Sequence, residues 1–161
     1  MAFRPRVASP LRLMDASIFN EEPMGLRERM LRLPLAQRFT YDPVQRVFFA
    51  NFEGLTVKTF ADVAAIRTVL EEKLSALEGK VPAIVDYDNF TVLPDVLDAY
   101  SDMVRDLAGR HYSYVTRYTT SAFLRSKLGE ALQQRDVAPH IFESADEARA
   151  HLAKIAGEKK D

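Results

Sequence analysis

From about residue 38 onward the apolar positions fall alternately into a strand period and a helix period, and prolines, glycines and capping residues mark the switches. Residues 38–41 and 46–52 flank Asp42-Pro43-Val44-Gln45, where aspartate first and proline second favour a type I turn and hence a hairpin. Thr59 and Asp62 stand at capping-box spacing before Val63, Ile66, Leu70, Leu74 and Leu77, which share one helical face. Gly79 predicts the end of that helix. The apolar run Val81-Pro82-Ala83-Ile84-Val85 follows, of the kind buried on both faces of a sheet, and is read as the central strand.

The second half repeats the alternation. Pro94 pre-sets the first turn of a helix whose buried stripe is Val96, Tyr100, Met103, Val104 and Leu107, with Gly109 as its expected end. Residues 112–119 are rich in β-branched and aromatic side chains, with Tyr112, Tyr114 and Tyr118 expected on one strand face. They lead into a helix over 121–134 with Phe123, Leu124, Leu128 and Leu132 inward. His140-Ile141-Phe142 reads as a short strand, Ser144 and Glu147 as a capping box, and a last helix is expected to end near Gly157.

A hairpin followed by repeated helix–strand units predicts an α/β domain over 38–157, with one mixed sheet of about four to five strands and about four helices. Residues 158–161 are expected to fray. Residues 1–37 differ: their prolines, arginines and apolar residues follow no single period, and they read as an N-terminal arm or linker with a short helix over 25–33. Phe3, Leu11, Leu13, Met14, Ile18, Phe19, Met24 and Leu26 require the arm to pack on the domain or on a partner.

The order of elements, with the ending Ile141-Phe142-Glu143-Ser144-Ala145-Asp146-Glu147-Ala148, resembles the STAS or anti-sigma-antagonist-like fold. Where those regulators carry an Asp-Ser-Gly phosphoacceptor loop, this chain has Asp86-Tyr87-Asp88-Asn89-Phe90-Thr91, so a phospho-switch is not expected.

Three strings point to one family. Asn51-Phe52-Glu53-Gly54-Leu55, Asp86-Tyr87-Asp88-Asn89-Phe90 and Arg117-Tyr118-Thr119-Thr120-Ser121-Ala122-Phe123-Leu124-Arg125, followed by Lys127-Leu128-Gly129, resemble the C-terminal region of acyl-CoA:acetate/3-ketoacid CoA-transferases. Phe3-Arg4-Pro5, Met14-Asp15 and Glu22-Pro23-Met24-Gly25-Leu26 resemble the segment that joins this tail to the catalytic part. The resemblance implies a partner, the catalytic transferase portion or sister subunits, and a homo-oligomeric setting. It implies CoA or acyl-CoA only for the full-length enzyme. The family's glutamate nucleophile lies in a Ser-Glu-Asn-Gly type motif that this sequence lacks. Glu53-Gly54 has neither flanking residue, so Glu53 is read as the end of a strand and the chain as inactive alone.

Composition narrows the chemistry. A net charge of −1 and a pI near 6.3 offer no field for a polyanion, so nucleic acid is not an expected partner. The absence of cysteine excludes disulfides and thiolate chemistry, and His111, His140 and His151 are too scattered in sequence to suggest a metal triad. No apolar run approaches bilayer length, and a cytoplasmic location is the expectation.

Two stretches carry candidate binding chemistry. Arg117, Thr119, Thr120 and Ser121, with Arg125, stand at a strand-to-helix junction, where free N–H groups, hydroxyls and guanidinium forks suit a carboxylate or phosphate. The same residues serve equally as a helix cap, with Thr119 or Thr120 as N-cap and Arg117 paired to Asp86 or Asp88. Asp86, Asp88 and Asn89 follow the central strand, at the edge where open α/β sheets bind ligands, but are also turn formers. Magnesium would need more oxygen ligands than these supply.

Overall fold

The computed structural model describes residues 34–159, with side chains through residue 155. The expected helix at 25–33 and the packing of the arm lie outside these residues.

A single helical turn, α1 (Leu35–Arg38), opens the described chain and passes directly into β1 (Phe39–Asp42). Arg38 thus ends a helix, where the sequence places the start of a strand. Its guanidinium is buried because Nη1 donates to the carbonyls of Glu53 (2.9 Å) and Asn51 (3.4 Å), tying the turn to the loop after the next strand. The hairpin to β2 (Val47–Asn51) forms as expected, with Phe39 opposite Ala50. It closes one residue later than the type I turn: Arg46 N–H donates to the Asp42 carbonyl at 2.7 Å, and Arg46 takes a positive φ of 60°. The Asp42 carboxylate causes this by accepting from the N–H groups of both Val44 and Gln45.

The capping box is present, Thr59 and Asp62 each accepting from the other's backbone N–H, and it starts α2 (Phe60–Ser75). Val63, Ile66, Leu70 and Leu74 are buried along it. Gly79, at φ 70°, lets the chain turn into β4 (Val81–Asp86). Helix α3 (Pro94–His111) runs through Gly109 without a break and hands over to β6 (Tyr112–Tyr118). A glycine costs a helix only about 1 kcal/mol, and the stripe Val96, Tyr100, Met103, Val104 and Leu107, buried throughout, outweighs it. Then follow α4 (Ala122–Gln133), β7 (Ile141–Phe142) and α5 (Ala145–Lys159).

The protein is α/β, with a mixed five-stranded sheet in the order β1-β2-β4-β6-β7 and β4 at its centre. Only β1 is antiparallel. Right-handed crossovers between strands added in one direction put α2, α3 and α4 on a single face. The main core lies there, with Phe48, Val85, Leu70, Met103 and Leu128 among its members. Helix α5 packs on the other face against β4, β6 and β7, its Leu152 meeting Val47 and Ile84. Two further strands, β3 (Thr56–Val57) and β5 (Thr91–Val92), pair in parallel just beyond the ends of β2 and β4. At two residues each they have no period to read.

Two packing expectations change. Phe123 is 73% exposed, in the first turn of α4 and beside Lys127, while Leu124, Leu128 and Leu132 hold the inward face. The three tyrosines of β6 do not share a face: Tyr112 packs on the main core, and Tyr114 and Tyr118 lie on the α5 side. The register shift between Val81 and Pro82, which pair with Tyr112 and Tyr114, inserts one residue and flips the alternation.

Candidate functional site

The parallel strands β2, β4 and β6 end together, and the loops leaving them carry most of the residues singled out from sequence. These loops are joined to one another by backbone bonds. Phe52 N–H donates to the Asp86 carbonyl, Gly54 N–H to that of Asp88, and Tyr87 N–H to that of Tyr118. Within the middle loop, Asp86 accepts from Asp88 N–H at 2.9 Å, and Phe90 N–H donates to the Tyr87 carbonyl. Asn89 holds the positive φ of 55° that this turn requires, a conformation asparagine tolerates well.

The junction between β6 and α4 uses its own donors. Ser121, not Thr119 or Thr120, is the N-cap: its hydroxyl accepts from Leu124 N–H at 3.1 Å. Thr119, fully buried, accepts from Ser121 N–H through Oγ1, and its carbonyl accepts from the Arg125 guanidinium at 2.6 Å. Thr120 N–H donates to the Asp88 carboxylate at 2.7 Å. The N–H groups of Thr120, Ser121 and Leu124 are therefore engaged with Asp88, Thr119 and Ser121. Asp88 places a negative charge at this helix start.

Arg117 corrects the sequence reading most sharply. It does not pair with Asp86 or Asp88. It is 1% exposed and turned into the helix-covered core, where Nη1 donates to the carbonyls of Pro139 (2.7 Å) and Ala138 (3.4 Å). Its Nε is buried without a hydrogen-bond partner among the described residues. Tyr87 and Tyr100 lie beside it and share a 2.7 Å hydrogen bond between their hydroxyls. Burial raises the pKa of both phenols, and the nearby guanidinium opposes that rise. Arg117 is thus a buried strut that fixes the loop before β7.

Asp86 lies half-buried on the α5 side. Burial, and then the neighbouring charges of Glu53 and Asp88, raise its pKa, while the Asp88 N–H and the Tyr118 hydroxyl hold it down. Tyr118 is raised in turn, first by burial and then by Asp86. The pair borders a small recess of about 160 Å³ with Phe49, Asn51 and Arg149, the last lying over the Phe49 ring at 5.2 Å. A larger groove of about 680 Å³ runs along the same sheet face, lined chiefly by apolar groups of Val44, Val47, Pro82, Ile84, Leu152 and Ile155. Arg46 and Arg149 also line it. Sequence reading placed Tyr118 inside the 117–125 string but only as a strand aromatic, and it missed Arg149, which stands in no motif, because α5 is placed over the sheet only by the fold.

Among the described residues no cluster of three His, Cys, Asp or Glu side chains could hold a metal ion, and no helix is long and apolar enough to cross a membrane. Compared with family models, curated proteins and solved structures, the chain finds no match.

Proposed function

We propose that this chain is a non-catalytic binding domain that acts by contact with a protein partner. The observation that carries this reading is the apolar groove along Val44, Pro82, Ile84 and Ile155, on the sheet face opposite the main core. Val44, 89% exposed at the hairpin tip, extends its apolar border. A groove of this character gains free energy when covered by an apolar surface, and Arg46 and Arg149 favour carboxylates around it.

The partner we propose is the catalytic portion of an acyl-CoA:acetate/3-ketoacid CoA-transferase-like enzyme, or a sister subunit. What supports this choice is the resemblance of the strings at 51–55, 86–90 and 117–125 to the tails of those enzymes. In the fold, those strings form the joined strand ends, so they keep the sheet edge in shape and leave contact to the α5 face. The rival reading, a free-standing STAS-like module sensing a small anion at the junction, would have to displace Asp88 from Thr120.

Co-purification of the full chain with the transferase portion tests the proposal. Retention is expected, and so is its loss in Val44→Asp, a surface change that leaves the core intact. No retention by the parent chain, or equal retention by Val44→Asp, would count against it.

A further inference from the structure

His140 and His151 are eleven residues apart in sequence, on a loop and on α5, yet their rings lie 5.4 Å apart in the structure. Between them stands the hydroxyl of Tyr114 from β6, 2.6 Å from His151 Nε2 and 3.4 Å from His140 Nε2. Both imidazoles thus direct the same nitrogen at one phenol oxygen. All three side chains are half-buried, so the cluster is walled by protein yet reachable from solvent.

We propose that Tyr114, His140 and His151 form a binding site for a divalent late first-row transition-metal ion, with copper(II) held most tightly. Ligands about 2.0–2.1 Å from a tetrahedral ion lie about 3.3 Å from one another, a value that the two oxygen–nitrogen separations of 2.6 and 3.4 Å bracket. An N₂O set of this kind suits copper, nickel or zinc and disfavours magnesium, which takes oxygen ligands. Metal binding displaces the phenol proton to solvent, leaves both imidazoles neutral, and opens the remaining positions to water.

Three further features hold the ligands in place. The carbonyl of His140 accepts from Arg117 N–H at 2.9 Å, which anchors the loop to β6. His140 adopts a positive φ of 42°, a costly conformation for a β-substituted residue, and such strain gathers at binding sites. Phe142 packs against the His151 ring at 5.0 Å. His111 takes no part; its Nε2 lies 3.5 Å from Glu71.

Titrating chelator-treated full-length protein with copper(II), zinc(II) and magnesium(II) chlorides tests the site. One equivalent of copper or zinc is expected to bind, and magnesium not to bind. Copper should give a nitrogen hyperfine pattern in electron paramagnetic resonance and a visible phenolate-to-copper band. His140→Gln and His151→Gln should each weaken binding by about tenfold or more, Tyr114→Phe should remove the band, and His111→Gln should change neither. Circular dichroism confirms that each variant is folded. No copper or zinc binding at millimolar ion would overturn the proposal. So would unchanged affinity in the double variant His140→Gln/His151→Gln, or a band that survives in Tyr114→Phe.

Discussion

Arg117 stands in the string most like a ligand-binding junction, and it is the most completely enclosed charged side chain among the described residues. Its guanidinium spends its hydrogen bonds on two carbonyls of the loop before β7, so removing it leaves acceptors without donors and a void beside Tyr87 and Tyr100. Arg117→Ala is therefore expected to lower stability by about 3 kcal/mol in urea unfolding, against about 1 kcal/mol for Ser121→Ala, which removes only a helix cap. A variant at 117 as stable as the parent would show that the guanidinium holds nothing together. Millimolar CoA or acetate is expected to leave the melting temperature of the parent unchanged, because the amides of Thr120, Ser121 and Leu124 are already bonded and Asp88 brings a like charge to the junction.

Helices α2 and α3 meet along a line of charges. Asp106 accepts from Arg67 at 2.6 Å and from Arg110, and Arg110 also reaches Glu71. Hydrogen bonds from Arg110, and for Asp106 also from Arg67, hold both carboxyls below their ordinary range. Carboxyls whose pKa is lower folded than unfolded stabilise the protein above the unfolded value, about 4, and that contribution fades as pH falls through the folded values. Asp106→Asn should therefore lose less melting temperature than the parent between about pH 4.5 and pH 2. An equal acid loss in both would remove the network from the account of acid stability. The groups are partly exposed to solvent, so molar salt should also narrow the difference. A second tie runs from Arg135, just beyond α4, to Asp98 and Asp102 of α3.

On the scale of the molecule, the buried members of the main core among the described residues lie between Phe39 and Leu132. The compact unit begins at Leu33. A polypeptide of residues 33–161 should therefore unfold in one cooperative thermal transition, and a broad, non-cooperative melt would show that its core needs a further surface. The two sheet faces play different parts: one carries α2, α3 and α4 over the main core, and the other carries α5, the groove and the histidine–tyrosine cluster. The alternation of strand and helix and the central place of β4 were legible because the apolar runs after the hairpin are each followed by a helix; the order of the remaining strands came from the structure.

By itself the sequence determined what depends on neighbours a few residues away: the capping box at Thr59, the buried stripes of α2 and α3, the turn chemistry of Asp42 and Asn89, and hence the α/β order. It misplaced Phe123 because an exposed first-turn position and an inward one differ by a single helical step. Tertiary structure alone decided which way long side chains point. The bulge beside Pro82 sent Tyr112 and Tyr114 to opposite faces, the pleat turned Arg117 inward, and α5 carried His151 across the sheet to His140. Those outcomes rest on contacts between residues far apart in the chain, where no spacing records the distance.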